Sequence, residues 1–326
     1  MSLHWMAALR AGLRLPLIAA PMFLVSGVEL VSAACAAGVI GAFPTVNCRT
    51  ADELDAWLKL IAQRARAHEQ ALGRAAAPWC ANLVVHRSNQ RLGQDLAVLL
   101  KHRPQLVITS VGSPESVIKP LHAVGARVLA DVASLRHAER AVAAGADGLV
   151  LLTAGAGGQT GWLNPLAFVR GVRGFYDGPL VLAGGISDGA ALMVAQAMGC
   201  DLAYMGTRFI ATHESLAKPA YQQMLVASSA DDILLTRAFT GLETNMLRPS
   251  IVAAGFDPAN LPERGGIDIA ADISIESRES RPTRWRDVWS AGHSVSGVQA
   301  LLSVAELVTQ TQLQYDEARA DLAARL

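Results

Sequence analysis

The residues whose type and spacing point to chemistry here are glycines, gathered late in the chain. Gly184-Gly185-Ile186-Ser187-Asp188-Gly189 follows one apolar run, and Met205-Gly206-Thr207-Arg208 follows the next. Without side chains, backbone N–H groups approach a phosphate closely, and the start of a following helix adds donors and a favourable dipole. A lone Gly-Gly is more often a simple tight turn. Two such sites after consecutive strands, one carrying the Thr207 hydroxyl, favour a shared phosphate site. A third cluster, Ala154-Gly-Ala-Gly-Gly-Gln-Thr-Gly161, has four glycines in eight residues, and its backbone is able to lie against a flat ligand. No G-x-G-x-x-G follows the first strand, which argues against a dinucleotide site of the Rossmann kind. Cys35, Cys48, Cys80 and Cys200 lack metal-like spacing and sit in apolar stretches, so they read as buried thiols and no metal site is expected.

The elements that must position these turns alternate strictly. Strands are expected at Leu15–Met22, Val39–Phe43, Trp79–Val85, Leu106–Ser110, Arg127–Val132, Gly148–Thr153, Leu180–Ala183 and Leu202–Met205. Helices are expected at Val28–Ala37, from a capping box at Thr50-Ala-Asp-Glu53 toward Ala71, and near Gln94–His102. Further helices follow at Pro114–Val124, Leu135–Ala144, Asn164–Phe175 and Asp188–Met198. The strands are short, continuous and apolar, as in a parallel sheet buried on both faces. Eight βα units in about 210 residues fit a closed (β/α)8 TIM barrel (class α/β) better than an open doubly wound sheet. Residues 1–211 are then the barrel. Residues 212–285, with helical text at Leu216–Ala230 and then a Pro-rich polar stretch, read as a small helical cap roofing the site. Residues 286–326 return to amphipathic helix and are expected to pack back on the barrel.

Composition agrees with a chain that buries a large core. Of 326 residues, 52% are hydrophobic and 17% charged, with 28 basic and 28 acidic side chains balancing to zero. Such a balance argues against nucleic acid or an anionic membrane as partner. Arg10 and Arg14 before Leu15-Pro-Leu-Ile-Ala-Ala20 imitate an export signal, but Pro16 interrupts the run and the stretch makes a good first strand. No run approaches the roughly 20 apolar residues of a membrane span. A cytoplasmic location is the expectation; oligomeric state is not legible.

Several of these motifs, taken together, have a known likeness. Ala20-Pro21-Met22, Asn82-Leu83, Gly155-Ala-Gly-Gly-Gln-Thr-Gly161, Ala183-Gly-Gly-Ile-Ser-Asp-Gly189, Tyr204-Met-Gly-Thr-Arg-Phe-Ile-Ala-Thr212 and Trp289-Ser-Ala-Gly-His293 occur in order across nearly the whole chain. In these the sequence resembles the nitronate monooxygenase (2-nitropropane dioxygenase) family of FMN-dependent barrels, which includes related NAD(P)H:quinone reductases and flavin-dependent enoyl reductases. The resemblance implies FMN as cofactor, with Pro21 and Met22 against its ring and Asn82 hydrogen-bonded to it. It implies Gly157 beside the cofactor, and Gly184-Gly185 with Tyr204, Met205, Gly206 and Thr207 at its phosphate. Substrates would be an alkyl nitronate, or another small electron donor, and O₂.

One departure bears on the reaction. The family's glycine loop ends in a histidine, the proposed general base, where this chain has Gln159. An amide accepts no proton at useful pH, although it donates hydrogen bonds to a nitro or carbonyl oxygen. A neutral nitroalkane must lose its α-proton before oxidation, whereas a nitronate arrives deprotonated. Oxidation of nitronates, without a strong base for neutral nitroalkanes, is therefore expected. His293 is the candidate to replace the missing base, set against a plain surface role; His86 is a weaker one. His137 reads as solvated or salt-bridged. Asp131 stands where some relatives carry lysine and reads equally as a solvated strand end. Arg208 and His213 are candidates to steer an anion, with an ion pair the alternative for Arg208. The competing activity is an NAD(P)H-dependent flavin reduction serving a quinone or enoyl thioester. A barrel binding a phosphorylated ligand without redox turnover is the third reading.

Overall fold

Eight short apolar segments line up in parallel and close on themselves in a computed structural model that describes residues 3–262, 264, 266 and 287–325. The barrel strands are β1 (Leu17–Ala19), β2 (Ile40–Pro44), β3 (Trp79–Val84), β4 (Leu106–Ser110), β5 (Arg127–Val132), β6 (Gly148–Leu152), β8 (Leu180–Ala183) and β9 (Leu202–Met205). β9 pairs back onto β1, with Ile18 opposite Tyr204, so no edge is left. Because side chains alternate faces along a strand, each strand sends one residue into a shared inner layer: Ile18, Ile40, Cys80, Leu106, Leu129, Val150, Val181 and Leu202. The residues between them face outward. Leu17, Leu149, Leu151, Leu180 and Ala203 pack there with helix residues such as Leu30, Phe168 and Leu192.

The outer helices sit where the apolar periodicity placed them. They are α2 (Val28–Ala37), α3 (Ala51–Leu72), α4 (Leu92–His102), α5 (Glu115–Ala123), α6 (Leu135–Ala143), α7 (Pro165–Arg173) and α8 (Gly189–Ala197). Their starts are capped as the sequence suggests: Thr50 Oγ1 accepts from Glu53 N at 3.1 Å, and Asp188 Oδ1 from Ala191 N at 2.8 Å. The capping box is shifted on its return side, since Glu53 Oε2 takes the N–H of Arg49 at 2.6 Å. The first strand is shorter than expected, and Ala20–Met22 leave it to reach the mouth. At the opposite end α1 (Leu3–Ala11) sends Met6 and Leu9 into the inner cluster and plugs the barrel's base.

After β9 come the single turn α9 (Thr207–Ile210) and α10 (Pro219–Val226), the latter inside the stretch expected to be helical. The described part of residues 212–285 also holds α11 (Arg248–Ala253) and, in addition to helices, two strands: β10 (Ile233–Thr236) and β11 (Thr244–Leu247). They form an antiparallel sheet whose third member is β7 (Gly158–Gln159), from the glycine loop after β6. A two-residue strand borrowed from a loop has no period to detect. The rest of that segment, including Pro282, lies outside the described residues. At the end of the chain α12 (Val304–Arg325) packs on α8 and α2. None of the described helices is long and apolar enough to cross a membrane.

Candidate functional site

At the carboxyl ends of the strands the barrel opens into a cavity of about 250 Å³. Its floor takes one side chain from each strand or strand end: Ala20, Pro44, Asn82, Ser110, Asp131, Leu152, Ala183 and Tyr204. Asn82 is 5% exposed and its Oδ1 accepts from Ser110 Oγ at 3.1 Å. The amide's donor end is therefore the one left for a ligand. Asp131 is half-buried at the end of β5 and lines the cavity. Its Oδ1 is buried without a hydrogen-bond partner, and burial raises the carboxyl to about 8.

Both glycine turns border this cavity: Gly184, Gly185, Gly206 and Thr207 all line it. Gly185 has φ +76°, and a Cβ added there meets nothing within 4 Å, so its surface is open. Gly206 is likewise uncrowded, with Ala20 Cβ and Met22 Sδ at 3.6 Å from an added Cβ. The start of α8 is not part of this cradle, because Asp188 caps it and α12 crosses it. A Cβ on Gly189 would lie 2.1 Å from Tyr315 N. Backbone donors for a ligand in the cavity would thus come from the turns and not from the start of α8.

Pro21 and Met22 lie where the loop after β1 crosses the mouth, and a residue from the next loop holds them there. Asn47 Nδ2 donates to Met22 O at 3.0 Å and to Ser26 O at 2.8 Å, while its Oδ1 accepts from Leu24 N at 2.9 Å. Leu24 is one of three described non-glycine residues with positive φ, at 59°. Three bonds from one side chain keep this loop in shape. Asn47→Ala is therefore expected to loosen it and weaken retention of the flavin proposed below about tenfold, at about 1 kcal/mol per lost bond partly offset by water. Flavin released on dialysis measures this.

Overhead, the roof is built by the C-terminal segment and the small sheet. Tyr221 and Trp289 stack at 5.0 Å with 12° between planes, and Tyr221 Oη donates to Ser290 O. Thr240 and Leu242 complete the rim. The glycines after β6 serve this roof as much as any ligand. A Cβ on Gly157 would fall 2.7 Å from Gly292 N, and one on Gly292 would fall 2.5 Å from Gly155 O. Gly157 does line the cavity, yet close backbone approach explains its identity. Gln159, in β7 opposite Thr244, lines the cavity too.

Other expected residues are not brought to the site. Met205 is fully buried in the layer between barrel and helices, because alternation turns it away from Tyr204's side. Tyr204 itself points into the barrel, beneath the glycine turns and not beside them. His293 is exposed and does not line the cavity; its ring sits against Gly155. Nor do His86 or His213 line it. Arg208 is spent on structure, donating to Gly297 O and, at 3.1 Å, to Gln310 Oε1. Among the described residues lining the cavity there is no Lys, Arg or His. The titratable ones are Asp131, Tyr204 and Tyr221.

A profile of the family described as Nitronate monooxygenase matches residues 8–313. The chain belongs to the nitronate monooxygenase family. A nitronate monooxygenase of Paraburkholderia phytofirmans is 32% identical over 230 residues, covering 67% of this chain and 62% of that relative. This chain thus spans less than two thirds of that relative's length. Among solved structures, nitroalkane oxidase from Streptomyces ansochromogenes superposes with TM-score 0.77 at 25% identity, over 97% of this chain and 99% of that one. FabK from Thermotoga maritima gives TM-score 0.80 at 22% identity over 99% of each chain, which speaks to the fold alone.

Within this nitronate monooxygenase family member, sequence reading missed the residues that shape the site from a distance. Asn47 lies in an unremarkable Val-Asn-Cys stretch, and its role depends on a neighbouring loop. Thr153 Oγ1 donates to Ala183 O at 2.8 Å and lies under Gly184, tying the two glycine loops together. A hydroxyl at the end of an apolar strand is the only hint the sequence offers for Thr153.

Proposed function

We propose that this protein is a flavin-dependent oxidoreductase that holds FMN across the barrel mouth and oxidises alkyl nitronates with O₂. The observation that carries the reading is that the glycine turns after β8 and β9 open on one cavity, opposite a floor with unpartnered polar atoms. That combination fits a ligand with a phosphate at one end and a polar ring at the other. Bound there, FMN would supply a redox-active ring for moving electrons from the substrate to O₂.

The protein's own part is positioning. Backbone N–H groups of Gly184-Gly185 and Gly206-Thr207, which line the cavity, would hold the phosphate. Thr207 Oγ1 already accepts from Gly292 N at 3.0 Å, so its proton is available to donate. Anion binding by backbone donors needs no cation in the lining. The amide of Asn82 would donate to the ring, and Pro21 and Met22 would cover one side of it. Tyr221 and Trp289 keep water from above, and Gln159 donates to an oxygen of the nitro group. No residue of this set takes a proton from carbon near neutral pH, which suits a substrate that is already an anion. The Streptomyces neighbour, a nitroalkane oxidase by name, supports nitro chemistry on this fold.

The purified protein is expected to be yellow, with a flavin released on denaturation that carries one phosphate. Anaerobic addition of a nitronate should bleach it. The absence of a basic residue from the described lining equally suits hydride transfer, so a reductase using NAD(P)H is the second reading. Rapid anaerobic bleaching by NADH or NADPH, with none by nitronate, would replace the first reading by the second. A colourless protein that takes up no flavin would remove both.

A further inference from the structure

Two oxygen atoms in the floor of the cavity lack partners. Asp131 Oδ1 and Tyr204 Oη are buried and make no hydrogen bond, although buried polar groups almost always do. Both residues line the same cavity, reaching it from β5 and β9 with β6 and β8 between them. Neighbouring polar groups do not satisfy them: Ser110 is committed to Asn82, Thr109 to Leu129 O and Thr153 to Ala183 O.

We infer that Asp131 and Tyr204 form a pair of hydrogen-bond donors for the carbonyl oxygens of the flavin's pyrimidinedione edge, and that a proton on Asp131 is a condition of tight binding. The inference rests on the flavin reading above. A flavin ring is apolar at its dimethylbenzene end and carries two carbonyls at the other, and only the latter end suits two orphaned hydroxyl-bearing groups. A carboxylate would instead repel those carbonyls.

The environment keeps the proton in place. Burial raises Asp131 to about 8. The titratable groups facing it, Cys80 from β3 and Tyr204 from β9, are also pushed up by burial, so both stay neutral. No charged group enters as a cause of the Asp131 shift. The free protein thus presents a neutral carboxyl near pH 7 and a carboxylate at pH 9. A ligand that selects the protonated form binds with constant affinity at low pH, then weakens toward tenfold per pH unit above about 8.

The test is titration of the full chain, stripped of flavin, with FMN between pH 6 and 9, followed by quenching of flavin fluorescence. The wild-type affinity should be roughly tenfold weaker at pH 9 than at pH 7. Asp131→Asn, a neutral donor of the same shape, should abolish that slope. Tyr204→Phe should weaken binding at every pH while keeping the slope. A flat wild-type profile, affinity rising with pH, or an unchanged slope in Asp131→Asn would overturn the pairing and leave flavin binding intact. Failure of FMN to bind at any pH would overturn both readings. Melting of the stripped proteins reports the proton independently of ligand. A raised carboxyl pKa means that native-state stability falls as pH rises from about 4 toward 8, because the folded form keeps a proton the unfolded chain releases. Asp131→Asn should therefore melt several degrees above wild type at pH 8 and by a smaller margin at pH 5. Equal melting at both pH values would contradict a buried proton.

Discussion

A pre-formed alkyl nitronate is expected to be turned over far faster than its parent nitroalkane, by a factor of about 10²–10⁴, the usual contribution of a positioned general base. Gln159 lines the cavity, and its amide has no basic lone pair in the relevant range. His293 does not compensate, being exposed and outside the cavity lining. Asp131 carries the one carboxyl in the described lining, and burial raises it to about 8, so only a minor ionised fraction is able to accept a proton at pH 7. Steady-state oxygen consumption at pH 7 with each substrate form gives the ratio directly. Gln159→His, which places an imidazole on the same strand, should narrow the gap by speeding nitroalkane turnover. Equal rates in the wild type would dismiss the idea that a base is missing.

Gly292→Ala should cost about 3 kcal/mol of stability and strip the protein of flavin. The added Cβ would sit 2.5 Å from Gly155 O and 2.8 Å from Gly157 N, and both contacts are backbone atoms that cannot swing aside. Moving the segment away breaks the bonds from Gly292 N to Thr207 Oγ1 and from His293 N to Gly155 O. It also lifts Trp289 and Ser290 off the mouth. Chemical denaturation and flavin content after gel filtration measure the two effects. The control is Gly93→Ala on α4, where an added Cβ meets nothing within 4 Å. Relief of backbone entropy there should stabilise by about 0.5–1 kcal/mol. If the two variants behaved alike, close packing of glycine on glycine would not be what holds the roof.

Barrel and glycine turns were legible from residue order alone for a local reason. Strand and helix periods, end caps and glycine turns are properties of a few consecutive residues. Hence β8 and β9 appear within their expected limits, and Gly184-Gly185 and Gly206-Thr207 reach one cavity. Alternation along β9 also decides, from parity, that Tyr204 and Met205 cannot serve the same side. Treating them as one set overlooked a rule already available.

What residue order leaves undecided is anything made by two distant segments. The seat of Met22 depends on Asn47, and the closeness of Gly155 and Gly157 to Gly292 depends on a strip of chain more than a hundred residues later. Gln159 becomes a strand only because Thr244 lies beside it. The charge state of Asp131 follows the same logic. A carboxyl at a strand end reads equally as solvated or functional, and only the neighbouring strands, absent from any local pattern, half-bury Asp131, enclose its Oδ1 and favour the protonated form.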